Sequence, residues 1–204
     1  MGYQTLRREA HAEIEIKRSR FISHVAPVET EEAARAIIEE QRSAHPKARH
    51  HCTAFILDPD GRTQRFNDDG EPAGTAGVPI LEVLTGHELT NVVAVVTRYF
   101  GGTLLGAGGL VRAYGGAVSE ALTDAAVVTR TLLTPVRVEL DYGTAAAAER
   151  QAQQAGWKII DSEYGAAVTH VLAVPAAEVE ACLAMLADVS AGEAAPEAGD
   201  PIYR

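Results

Sequence analysis

The chain is short of aromatic residues, of cysteine, of positive charge and of long apolar runs. Aromatics make up only 5% of its 204 residues, with a single Trp, while apolar residues together reach 47%. The core must therefore be built from small aliphatics, and a disordered chain would carry fewer of them. Cys52 and Cys182 are the only cysteines. Two distant thiols exclude a disulfide scaffold or a cysteine zinc cluster and read as reduced core residues. No charge-free apolar run reaches the ~18 residues of a membrane span. The first twenty residues, MGYQTLRREAHAEIEIKRSR, are charged throughout and lack the apolar segment of a secretory signal. Leu6 stands where a myristoylation pattern wants Ser or Thr. A cytoplasmic protein without membrane attachment is expected.

The formal net charge is −10, and it is spread unevenly. Residues 1–130 hold 14 Lys and Arg against 17 Asp and Glu, a net −3, whereas residues 131–204 hold 4 against 11, a net −7. A chain of this balance lacks the broad positive field of a sequence-blind nucleic-acid binder. A local basic site in the first two thirds is still compatible with it.

Residues 13–17 alternate as a half-buried strand does, and Phe21–Val28 reads as a second strand. Thr30 is placed to cap a helix with Glu31 and Glu32 in its first turn, ending at Pro46. His51–Leu57 and Arg62–Phe66 form a hairpin around the turn Asp58-Pro59-Asp60-Gly61. A helix with Thr75 as its cap carries Val78, Ile80, Leu81 and Leu84. Val92–Thr97 is a continuous β-branched run of the kind buried on both faces. It leads through a glycine-rich loop into a helix bearing Leu110, Val111, Tyr114, Val118, Ala121 and Leu122. The pattern changes near residues 129–133. The rest reads β-α-β-β-α-β, with at most one short edge strand in Glu193–Arg204, which is the order of a ferredoxin-like domain. An α+β protein is expected, with domains at 1–130 and 131–204.

The loop from Gly101 to Gly109 is the most informative feature. Glycines between a buried strand and a helix let a ligand approach the main chain. The free N–H groups of the helix start then favour an anion. Arg98 ends the strand, and Gly108, Arg112, Gly116 and Ser119 share one helical face. The loop lacks the Gly-Lys-Ser/Thr of a nucleotide-hydrolysing P-loop and the spacing of a dinucleotide fingerprint. Close packing of helix on sheet would use the same glycines, so packing and anion binding both remain open.

Asp68, Asp69 and Glu71 could hold a metal or simply dress a helix start. His51 and Cys52 are neighbours on a strand and point to opposite faces, so they do not form one metal or nucleophile site, and Cys52 is expected in the core. Lys17, Arg18 and Arg20, with Arg7 and Arg8, form a basic cluster, joined by Lys47 and Arg49 if the strands pair nearby, whose value depends on whether it meets Arg98 and Arg112 in space.

Four motifs carry a resemblance. They are Lys17-x-Ser19-Arg20-Phe21-Ile22, His50-His51-Cys52, Asp68-Asp69-Gly70-Glu71-Pro72-x-Gly74-Thr75-Ala76-Gly77, and the stretch Val95 to Tyr114 with Arg98-Tyr99-Phe100-Gly101-Gly102, Gly106 and Gly108-Gly109-Leu110. Through them the chain resembles the YigZ/IMPACT family over residues 5–130. The remainder looks like the variable second domain of its bacterial branch.

The resemblance implies an N-terminal domain resembling domain 2 of ribosomal protein S5 and a C-terminal ferredoxin-like domain resembling domain V of the translocation elongation factor. Eukaryotic relatives act in translation control: they bind the activator of a starvation-responsive kinase and carry an extra RWD domain. This chain opens directly on the shared domain, so the bacterial form without an RWD domain is expected.

The expected function is a non-catalytic binding protein of translation or its regulation. It would contact RNA, the ribosome, a regulatory protein or another anionic partner through Arg98, Tyr99, Gly101, Gly102, Gly106, Gly108, Gly109 and Arg112. Lys17 and Arg20 would assist, and Asp68, Asp69 and Glu71 would border the site. No cofactor, resident metal or catalytic residue is assigned, and a monomer is expected. Two alternatives stand beside it. One is a hydrolase using a metal on the Asp68/Asp69/Glu71 cluster, or His51 as base. The other is an interaction protein acting through its acidic second domain.

Overall fold

A computed structural model describes residues 2–204. They divide into two compact units, Tyr3–Thr129 and Arg130–Arg204, with Gly2 belonging to the second. Among the described residues no helix is long and apolar enough to cross a membrane.

The chain begins with β1 (Gly2–Leu6), β2 (Ala10–Ile16), β3 (Ser19–Pro27) and α1 (Glu31–Ala44). β4 (His50–Leu57), β5 (Thr63–Asn67), α2 (Gly77–Gly86), β6 (Val92–Tyr99) and α3 (Ala107–Leu122) follow. Five strands form one sheet in the order β2-β3-β6-β4-β5, antiparallel at every pairing. β6 is central, and its valine run serves both faces. Val92, Ala94 and Val96 pack with α2 and α3 residues such as Ile80, Leu84 and Tyr114. Val93 and Val95 pack on the other side with Ala34 of α1. Each buried valine contributes about 1.5–3 kcal/mol, so this strand anchors the three-layer core.

Local rules explain the first helix. Thr30 caps α1 by accepting the Ala33 N–H at 3.1 Å. The expected cap of α2 is corrected. Ala76 occupies the cap position without a side-chain bond, and the Thr75 hydroxyl instead donates to Pro72 O at 2.7 Å. The capping carboxylate comes from farther back. Asp68 accepts N–H groups from Gly74, Ala76 and Gly77 at 2.8–3.0 Å. Burial pushes the Asp68 carboxyl up, but the three N–H donors outweigh it and hold it below the usual carboxylate range.

β7 (Val127–Leu140) carries the chain from the first unit into the second. There follow α4 (Tyr142–Ala155), β8 (Lys158–Tyr164), β9 (Val168–Pro175), a 3-10 turn (Ala176–Glu178), α5 (Val179–Val189), β10 (Glu197–Ala198) and β11 (Ile202–Tyr203). β9 lies between β7 and β8, and β10 pairs with β7 on its other side. This is a ferredoxin-like β-α-β-β-α-β arrangement, and the protein is α+β. Asp141 caps α4, and Gly156, at φ +80°, closes it. Buried Cys182 has its thiol pushed up to about 11 by burial, in keeping with a core role.

The C-terminal expectation needs a correction. Two short strands form rather than one, because the edge is interrupted. β10 pairs Glu197 with Arg137, and β11 pairs Ile202 with Leu133, so the register slips by one residue between them. Pro201 lies in that break and has no N–H for the ladder.

Candidate functional site

The site lies within the first unit, where β6 ends and α3 begins. Register puts Arg98 of β6 between Phe21 of β3 and His50 of β4. Its guanidinium stands 5.3 Å from the Phe21 ring and 5.6 Å from the Phe100 ring. Only 5% of Arg98 is exposed. Its Nη1 donates to Glu71 Oε1 at 2.5 Å, and the same oxygen accepts the Tyr114 hydroxyl at 2.7 Å. Arg98 is thus neutralised from inside, and Glu71 belongs to a buried network rather than to an open acidic border.

The other two acids are also engaged. Asp68 caps α2, as described. Asp69 accepts from Arg42 Nη2 at 3.2 Å and from the His51 main-chain N–H at 2.6 Å. Among the described residues the three carboxylates therefore turn to separate partners and do not group around one point as a metal site. Cys52 is fully buried, and burial pushes its thiol up to about 12, so it is no nucleophile near neutral pH. Burial likewise lowers the pKa of His51. Its Nε2 is buried without a hydrogen bond, and its Nδ1 lies 3.8 Å from Asp69 Oδ2.

Above the Arg98–Glu71 pair opens a cavity of about 410 Å³. Its walls include Arg49, His50, Phe100, Leu104 and the Gly106–Ala107 start of α3. Leu104 is 84% and Phe100 42% exposed. α3 has no side-chain cap: Gly106, at φ +72°, holds the cap position. Its first-turn amides, carried by Ala107, Gly108 and Gly109, sit where the helix dipole is positive. Arg112 lies one turn on, exposed, and a Cβ on Gly108 would come within 3.7 Å of its Nη1. That distance is ordinary van der Waals contact, so the Arg112 guanidinium lies beside the helix start.

The glycine loop rests on the β2–β3 hairpin. Ile16 pairs with Ser19, leaving Lys17 and Arg18 as a two-residue turn with φ +47° and +66°. Non-glycine residues in that region are strained. Gly101 donates its N–H to Ser19 Oγ at 3.0 Å, and Arg18 Nη2 donates to Thr103 Oγ1 at 3.4 Å. The residues that meet the loop are thus Arg18 and Ser19, with Lys17 next to them in the turn. Arg20 is held against Glu13 at 2.5 and 3.0 Å and over the Tyr99 ring at 5.4 Å. Tyr99 shares its hydroxyl with His45 Nδ1 at 3.0 Å.

Among the described residues, exposed Lys17, Arg49 and Arg112 make no ion pair. Tyr114 and Leu104 join the site without having been expected there. Tyr114 reads in sequence as one more member of an apolar helical stripe, and its hydroxyl gives no periodic signal.

The family model of the Impact N-terminal domain matches residues 17–122. The chain belongs to the IMPACT family. A second model, a domain of unknown function (DUF1949), matches residues 138–193. The chain is 47% identical over 180 residues to IMPACT family member YigZ of Escherichia coli, covering 87% of this chain and 88% of that protein. It is 38% identical over 202 residues to IMPACT family member YvyE of Bacillus subtilis, covering 99% and 93%. A crystal structure described as that of a hypothetical protein superposes with a TM-score of 0.67 at 42% identity, covering 98% of each chain. The Gly101–Gly109 loop and the residues around it thus lie inside the IMPACT domain.

Proposed function

We propose that this IMPACT family member is a cytoplasmic, non-catalytic binding protein of translation or its regulation that holds single-stranded RNA phosphate at the start of α3. The observation that carries this reading is the exposed, uncapped first turn of α3, opening beside the 410 Å³ cavity. Arg112, Arg49 and Lys17 supply positive charge without internal partners. Exposed Phe100 offers a face on which a base can stack, an interaction worth about 1–3 kcal/mol. Arg98 acts indirectly, by fixing Phe100 and the floor of the cavity. With a net charge of −10, attraction is local rather than global, so affinity is modest and its salt dependence shallow.

Filter binding of the full chain to a single-stranded ribosomal RNA segment tests this. Each phosphate contact gives about −0.7 in the slope of log K against log salt, so three cations predict a slope near −2, on the order of that rule. Arg112→Ala is expected to weaken binding and to reduce the slope by about 0.7. Absence of binding at about 50 mM salt, or a slope unchanged in Arg112→Ala, overturns the proposal.

A further inference from the structure

We infer that Glu9, His11 and His24 form a binding site for a divalent transition-metal ion of the zinc type. Sequence spacing conceals this group, because His24 meets the other two only through strand register. β2 and β3 pair so that His11 stands directly opposite His24, and directly opposed residues share a face of the sheet. Glu9, just before β2, turns its carboxylate onto both rings. Its Oε2 lies 3.1 Å from His24 Nε2 and 3.6 Å from His11 Nε2. All three ligand atoms fall within 4.8 Å of one another. Tetrahedral zinc, with bonds of about 2.0–2.1 Å, sets neighbouring ligand atoms about 3.4 Å apart. The two distances from Glu9 bracket that value.

The second observation is the state of His24. Its side chain is 4% exposed, and neither ring nitrogen makes a hydrogen bond among the described residues. The Glu9 contact is short enough for attraction but outside hydrogen-bond geometry. A buried imidazole with both nitrogens unmatched is costly, and an ion on Nε2 removes half of that mismatch.

His11 and Glu9 are 60% and 52% exposed. They are free to close on an ion, and the stacked rings, 4.3 Å apart and 22° from parallel, need only His11 to rotate. Two imidazoles and one carboxylate select zinc-like ions over magnesium or calcium, which prefer all-oxygen shells. Three protein ligands leave one position for water.

The test uses the full chain with any affinity tag removed and metal stripped by chelator. Zinc chloride is titrated calorimetrically, and cobalt(II) is followed by its visible absorbance. One ion per chain is expected, with a tetrahedral cobalt spectrum. Glu9→Gln and His11→Ala alter exposed side chains, so the fold survives, and each is expected to weaken binding by at least about tenfold. No binding to the native chain overturns the inference. So does one-to-one binding that neither variant weakens, since it places the ion elsewhere.

Discussion

Glu71→Ala is expected to lower the stability of the first unit by about 3–5 kcal/mol. The reason is the company Glu71 keeps. It and Arg98 expose only 4% and 6% of their side chains, and Arg98 Nε is already buried without a partner. Removing the carboxylate strands a guanidinium in the core and takes the acceptor from the Tyr114 hydroxyl. Burial heads the causes that raise the pKa of that hydroxyl, so it does not ionise to compensate.

The pair itself is weak evidence for net stability, because desolvation offsets most of its attraction. The double variant Glu71→Leu with Arg98→Met is therefore expected to recover most of the loss. Amide hydrogen exchange of β6 is the suitable readout, since Trp157 lies in the second unit and reports only that unit. A cost below about 1 kcal/mol for Glu71→Ala, the range of a surface pair, contradicts the buried network.

Gly101→Ala is expected to cost at least about 3 kcal/mol, the upper end of overpacking effects. A Cβ at this position would sit 2.1 Å from Arg18 C and 2.3 Å from Ser19 N. Those are main-chain atoms of a tight turn and have little room to yield. The loop must lift from the hairpin, which breaks the Ser19–Gly101 bond and carries Phe100 and Leu104 with it. RNA binding is expected to fall as a consequence. Gly102→Ala is the control. Gly102 has φ +84° and nothing within 4 Å of a new Cβ, so only backbone strain of about 1–2 kcal/mol is expected. Thermal unfolding of both variants measures the difference, and equal costs contradict the close approach at Gly101.

What could be read in advance follows from how local each determinant is. The valine run of β6 announces a strand buried on both faces, because no other element accommodates continuous β-branched residues so well. The Asp58–Gly61 turn carries its own chemistry: Gly61, at φ +65°, donates its N–H to Asp58 O at 2.9 Å. β1 was not legible. Its five residues, Gly2–Leu6, show no strong period, and it is tied by distant contacts such as Thr90 N–H donating to Gln4 O at 2.9 Å.

The β2–β3 turn lacked its signal too, since Lys17 and Arg18 stand where Asn-Gly is usual. At the site, the glycine pattern identified the loop, but the fate of the charges was not local. Arg98 and Glu71 find each other across 27 residues, and Asp68 caps a helix that begins nine residues later. Pattern reading names the charged residues and leaves open which of them face inward.

The most direct measurement is a backbone amide NMR titration of the full chain with the single-stranded RNA segment. The largest shifts are expected at Ala107, Gly108 and Gly109, together with Gly102 and the Arg112 side chain. Shifts confined to the acidic second unit, or to Arg65 and Phe66 on β5, contradict it.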